Sequence, residues 1–210
     1  PSSSRSYPGD AGVIPNGTDN VYFDQYSGYA AIRGSAAMVC YNLSTVGFQG
    51  SFGGSGQASN IRVYGQSITL GAVGYAGVGL NILSNILSSV QYTQASLSYP
   101  PARITVQTAP SYGVTFLSDV YTPALIHNTG NINVGNHNVQ VNYYTYNSAV
   151  SPYPQLNMGS GTWNIIATDG SYNSWNPHPN ITINKETANI LWNLNYGTSA
   201  IFYVNGKSFN

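Results

Sequence analysis

The sequence predicts an all-β protein: an immunoglobulin-like, pilin-like β-sandwich with one short helix and an extended N-terminal donor arm. Three observations point there. Short runs rich in β-branched and aromatic residues alternate with Gly, Pro, Asn and Ser clusters, the pattern of strands broken by turns. The polar surface is made of amides and hydroxyls, with 24 Asn, 25 Ser, 15 Thr and 18 Tyr in 210 residues and only 6% charged, against roughly 25% in an average domain. The first twenty residues, PSSSRSYPGDAGVIPNGTDN, carry Pro and Gly with little periodicity, as a segment outside a packed body does.

From these, residues 1–25 are expected to form the arm and residues 26–210 the body. Strands are expected at 21–23 (VYF), 36–43 (AAMVCYNL), 61–70 (IRVYGQSITL), 102–108 (ARITVQT) and 113–121 (GVTFLSDVY). The second half adds 139–146 (VQVNYYTY), 162–168 (TWNIIAT), 180–184 (NITIN), 188–196 (ANILWNLNY) and 199–205 (SAIFYVN). In ANILWNLNY, Ile190, Trp192 and Leu194 fall on one face and the asparagines on the other, with Leu191 as the exception. One segment departs from alternation: Leu80, Leu83, Ile86, Leu87 and Val90 recur at helical spacing, which predicts a helix over 79–91 capping the sandwich. No repeat of fixed period is visible, so a single body is expected.

Composition excludes several functions. The six cations, Arg5, Arg33, Arg62, Arg103, Lys185 and Lys207, are dispersed along the chain and form no basic patch for nucleic acid. The apolar stretch 68–83 is short and interrupted by glycines, so no membrane span is expected. Cys40 is the only cysteine and reads as a buried apolar residue, leaving no disulfide and no thiolate metal site. With so few carboxylates, stability is expected to vary little with pH. The chain starts at Pro1 without an initiator Met or signal segment and reads as a processed, secreted form.

No catalytic constellation is found, and neither a cofactor nor a metal is expected. Polar, Tyr-rich β proteins of this size include family 11 and 12 glycosidases, which need two glutamates; Glu186 is the only one here. Fungal glutamic peptidases fail on the same scarcity. Asp119 and Asp169 sit among turn formers, and His127, His137 and His178 have no ligand spacing. No serine lies in a GxSxG turn, and the glycine run at 71–79 lacks the residues of a phosphate loop. Tyr143, Tyr144, Tyr146, Tyr153, Tyr172 and Trp175 could line a sugar site, but core packing is the favoured reading. Asn16, Asn42 and Asn180 head sequons, the pattern that permits N-linked glycans.

An arm of about 25 residues could extend roughly 80 Å, further than the roughly 40 Å width of such a body. Its apolar anchors for strand donation are Val13, Ile14, Val21 and Phe23. A Pro/Gly-rich arm on a charge-poor, Tyr/Asn/Ser-rich β body resembles the thread pilus subunits of thermoacidophilic archaea, Sulfolobales in particular, whose N-terminal tail completes the next subunit as in type 1 pilins. The resemblance implies an extracellular homopolymer held by non-covalent strand exchange, glycosylated and serving adhesion, with no enzymatic activity. Pro8 and Pro15 depart from it, since neither can donate a ladder hydrogen bond. The competing expectations are a secreted carbohydrate-binding β-sandwich, a viral coat protein, and a polysaccharide hydrolase dependent on Glu186.

Overall fold

The computed structural model describes residues 15–29, 31–32, 37–53, 60–71, 74–75, 77–92, 100–146, 153–167 and 174–194. Among these the secondary structure is all β, without a helix, and every strand pairing is parallel. The chain winds as a β-solenoid: each circuit adds two or three strands, each to a different sheet, and the next circuit stacks on it.

The first circuit contains β1 (Val21–Tyr22), β2 (Ala31–Ile32) and β3 (Met38–Cys40), and the second β4 (Leu43–Ser44), β5 (Ser51–Phe52) and β6 (Asn60–Val63). Next come β7 (Ser67–Leu70) and β8 (Gly79–Ile82), then β9 (Ser88–Tyr92) and β10 (Arg103–Gln107). The three-strand circuit resumes with β11 (Gly113–Phe116), β12 (Val120–Tyr121) and β13 (Ala124–Thr129), followed by β14 (Asn131–Asn133), β15 (Val139–Val141) and β16 (Tyr143–Tyr146). The last strands are β17 (Gln155–Asn157), β18 (Thr162–Ala167), β19 (Trp175–Asn176), β20 (Thr182–Asn184) and β21 (Asn189–Leu194). They form an eight-stranded sheet (β1-β4-β7-β9-β11-β14-β17-β20), a seven-stranded sheet (β19-β16-β13-β10-β8-β6-β3), a four-stranded sheet (β12-β15-β18-β21) and the pair β2-β5.

This overturns the expected immunoglobulin-like sandwich. Alternation reports that one side of a strand is buried, and it is the same whether the neighbour runs parallel or antiparallel. The connections decide. After β13 the chain turns a corner through Gly130, at φ +78°, into β14 of a different sheet, instead of reversing into a hairpin. The circuit length also varies: Val114 pairs with Ile132, 18 residues on, and Tyr144 with Trp175, 31 residues on. A repeat search at fixed period therefore finds nothing, because length differences are absorbed between strands while the stacked strands stay in register.

The expected helix at 79–91 is likewise replaced by β8, a turn and β9. Leu80, Ile82 and Val90 are buried at 0–1% exposure, whereas Leu87 is 69% exposed. Ser84 closes the turn, its hydroxyl accepting from the Ile86 amide (3.0 Å) and donating to the Ile86 carbonyl (2.9 Å). The helical spacing arises because an apolar turn residue happens to bridge two strand patterns.

Inside, equivalent residues stack in rows. Met38, Ile61, Leu80, Ile104, Leu125, Tyr144 and Trp175 form one such row along the seven-stranded sheet. Near the N-terminal end, Phe23, Phe48 and Phe52 meet with ring centroids 5.1–5.4 Å apart, and Tyr75 stacks on Phe52 at 5.5 Å. Further along, Trp175 stacks on Tyr144 at 4.8 Å and Trp163 meets both edge-on.

The strand–turn–strand path makes a prediction that a helix would not. Ile82→Ala should cost about 2–5 kcal/mol, whereas Leu87→Ala should change stability by less than about 0.5 kcal/mol. Urea unfolding of the two variants measures this, and comparable losses at both positions would contradict the register of β8 and β9.

Candidate functional site

The outer face of the seven-stranded sheet carries the site. In β6 the buried Ile61 and Val63 alternate with Arg62 and Tyr64, which point outward. Register then places Val39, Arg62, Asn81 and Thr105 side by side across β3, β6, β8 and β10. A cleft of about 570 Å³ is lined by Gly17, Thr18, Val39, Tyr41 and Tyr64. A second, of about 370 Å³, is lined by Asn60, Arg62, Asn81, Leu83, Arg103 and Gln107. The two adjoin where Val39 pairs with Arg62. Tyr64 is 37% exposed, and a Cβ on Gly17 would lie 3.3 Å from its ring, so the absence of a side chain there lets the backbone lie against the phenol.

The second cleft is polar, and the described residues lining it include no carboxylate. Arg103 Nη2 donates to Asn60 Oδ1 at 3.0 Å, and Asn128 Nδ2 donates to Gln107 Oε1 at 3.3 Å. Asp19, next to Thr18 at the far end of the first cleft, accepts from the Asn16 amide at 2.9 Å. Together the described residues of the clefts offer phenol rings, amides and two guanidinium groups, with no pair of carboxylates for glycoside hydrolysis among them.

Among the described residues no three of His, Cys, Asp and Glu come together as a metal site. Cys40 is fully buried, and desolvation pushes its thiol up to about 12, so it stays a neutral thiol. Asp119 fastens a corner: its carboxylate accepts from the Asn138 amide at 2.8 Å and from Asn138 Nδ2 at 3.2 Å, with His137 Nδ1 3.9 Å away. Burial and then Asp119 raise the Tyr121 phenol. His178 lies between Tyr146 and Tyr153, 5.2 Å from each ring, and its Nδ1 accepts from the Asn180 amide. Glu186 sits in the left-handed region at φ 53°, the conformation taken one and two circuits earlier by Gly159 and Gly135, and it performs the same corner turn. Tyr144 and Tyr146 are buried and belong to the core.

Of the strand-donation anchors, Val13 and Ile14 lie outside the described residues. Val21 is buried in β1, paired with Leu43 of its own chain, and Phe23 packs on Phe48 and Phe52. Of the sequon asparagines, Asn16 and Asn180 are exposed. Asn42 is held within a corner: its Oδ1 accepts from the amides of Gln66 and Ser67 at 2.9 Å, and its Nδ2 donates to Asn20 Oδ1 at 2.9 Å. Sequence reading did not single out Tyr41, Tyr64, Asn81 or Gln107, and treated Arg62 and Arg103 as dispersed. Each stands on a strand or directly after one, but only the register of circuits of unequal length brings them together.

One buried group contradicts the expected indifference to pH. His127 is fully buried, with Nε2 2.6 Å from the Gly130 carbonyl and Nδ1 2.9 Å from the Tyr144 hydroxyl. A carbonyl only accepts, so Nε2 carries the proton and the Tyr144 hydroxyl donates to Nδ1. Protonating Nδ1 would break that bond and bury a charge, and desolvation lowers the His127 pKa to about 4. The unfolded chain then binds a proton that the native state refuses, so stability is full above about pH 6.5 and falls toward pH 4, by about 3 kcal/mol. His127→Gln keeps one donor and one acceptor without the titration. Urea unfolding at pH 7 and pH 4.5 should show a smaller acid loss in that variant than in wild type, and equal losses would remove His127 as the cause.

Compared with protein families, with curated proteins and with solved structures, the chain finds no match.

Proposed function

We propose that the protein is an extracellular, non-catalytic carbohydrate-binding solenoid that takes an extended saccharide along the outer face of its seven-stranded sheet. The observation that carries this reading is the junction of the two clefts: the Tyr41 and Tyr64 rings adjoin a strip of amides and guanidinium groups on one flat face. A sugar presents an apolar C–H face and a rim of hydroxyls. The first packs on an aromatic ring, and the second meets donors and acceptors of amide and guanidinium type. A stack of parallel strands supplies such groups at regular intervals of about 4.8 Å, which suits a polymer better than a compact ligand. The surface stays hydrated by neutral groups, so little else on it competes for a charged or hydroxylated ligand.

Titration calorimetry against a panel of neutral and acidic oligosaccharides tests the reading. Tyr64→Ala should weaken binding about tenfold, the loss of one aromatic contact. Binding to no member of the panel, or an unaffected Tyr64→Ala variant, would overturn it.

A filament of identical subunits is the second reading. It is favoured by the terminal strands β1 and β3, which among the described residues pair on one side only, with β4 and β6, leaving edges on which a further parallel strand could stack. Negative-stain microscopy of the full chain before and after boiling in SDS should show fibres with a regular repeat, and monodisperse particles under both conditions would exclude it.

A further inference from the structure

We propose that Arg62 and Arg103 form a receptor for an anionic substituent, the carboxylate or sulfate of an acidic saccharide. The proposal rests on the carbohydrate-binding reading above and narrows its ligand. Arg103 begins on β10, one strand away from β8 and two from β6. Its guanidinium nevertheless reaches Asn60 on β6, donating from Nη2 to Oδ1 at 3.0 Å. The path runs over Gly79, which pairs with Asn60 on one side and Arg103 on the other. A Cβ there would lie 2.7 Å from Arg103 Nε and 2.6 Å from Asn60 Oδ1. Glycine at position 79 therefore opens the lane along which Arg103 crosses a whole strand toward the strand that bears Arg62, two residues from Asn60 on the same face.

Two cations are thus directed into one cleft of a molecule that has only six in all. Among the described residues nothing neutralises them: those lining the cleft include no acid, and the Arg62 guanidinium has no hydrogen-bond or ion-pair partner. Asn81, between them, and Gln107, at the rim, add neutral amide donors. A role in shielding a sheet edge does not account for the arrangement, since β6 and β10 are interior strands of the sheet and edge protection belongs on the outermost ones. Guanidinium groups pair with carboxylate and sulfate oxygens through parallel, charge-assisted hydrogen bonds, and a shared anion also relieves their mutual repulsion.

The test compares oligomers of galacturonate, glucuronate and mannuronate with their methyl esters, which keep the sugar and remove the charge, and adds a sulfated galactan oligomer. Titration calorimetry is run on the full chain, on Arg62→Gln, on Arg103→Gln and on Gly79→Ala. The acidic form should bind at least about tenfold more tightly than its ester and weaken with added salt. Each arginine variant should lose that preference, binding acid and ester with nearly equal affinity, and Gly79→Ala, which displaces Arg103, should reduce it with the melting temperature preserved. Tighter binding of the uronates assigns the site to a carboxylate, and tighter binding of the galactan assigns it to a sulfate. Equal affinity for acid and ester, unchanged in Arg62→Gln, would overturn the anion receptor and leave the carbohydrate reading intact. Failure of every saccharide, charged or neutral, would overturn both.

Discussion

Parallel stacking of successive circuits in register is the constraint on which the rest of the structure depends. In such a coil each residue sits on its counterpart one circuit away, so a row rather than a residue is the unit of packing. Along the seven-stranded sheet the inner row runs from Met38 through Ile61, Leu80, Ile104 and Leu125 to Tyr144 and Trp175. Its side chains are aliphatic from Met38 to Leu125 and aromatic at Tyr144 and Trp175. A misfit in one row would be felt by the circuits on both sides, because close-packed interiors have few voids to absorb it.

The same stacking governs the corners, where backbone must bend without leaving polar groups unpaired. Asn133, Asn157 and Asn184 stack in register, with Asn184 Nδ2 donating to Asn157 Oδ1 at 2.6 Å, an amide ladder of the kind that stacked parallel strands permit. Two residues on, Gly135, Gly159 and Glu186 all adopt positive φ. A Cβ on Gly159 would run into the Gly135 carbonyl, whereas Glu186 accepts the conformation with a side chain. Asn42 and Asn138 act at other corners, their Oδ1 atoms accepting backbone amides from the next circuit. This explains the abundance of asparagine better than a general need for polarity does: the side chain that best caps a stacked corner is an uncharged amide, because a charged one would repel its own neighbour in the ladder.

Charge scarcity follows from the same geometry and gives the outer face its chemistry. Where like residues stack about 4.8 Å apart, like charges are costly, so a charged position has to be isolated or shared with a counter-ion. Asp119 is accommodated by the amides of Asn138 and lies near His137. Among the described residues Arg62 and Arg103 have no such acid, and with Arg103 reaching across Gly79 toward the strand of Arg62 both cations line one cleft. Binding and fold thus draw on one feature, the register of β6, β8 and β10.

The amino-acid sequence by itself determined that strands and turns dominate, while predicting a helix over 79–91 where β8 and β9 lie; it located some strands closely, since 102–108 covers β10, 162–168 covers β18 and 188–196 covers β21, whereas 61–70 and 139–146 each join two strands across a corner. In strands such as β21 it also determined which side faces inward, because burial against water imposes a period of two on the residues themselves. The tertiary structure decided which strands meet. Pairing depends on circuit length, and with separations from 18 to 31 residues no local pattern distinguishes a parallel coil from an antiparallel sandwich. For the same reason Arg62 and Arg103, 41 positions apart in the chain, read as scattered cations until two intervening pairings with β8 place them on one face. His127 shows the limit for single residues: its tautomer, its neutrality and its sensitivity to acid all follow from the Gly130 carbonyl and the Tyr144 hydroxyl that the coil brings to its two nitrogens, partners that no spacing in the sequence announces.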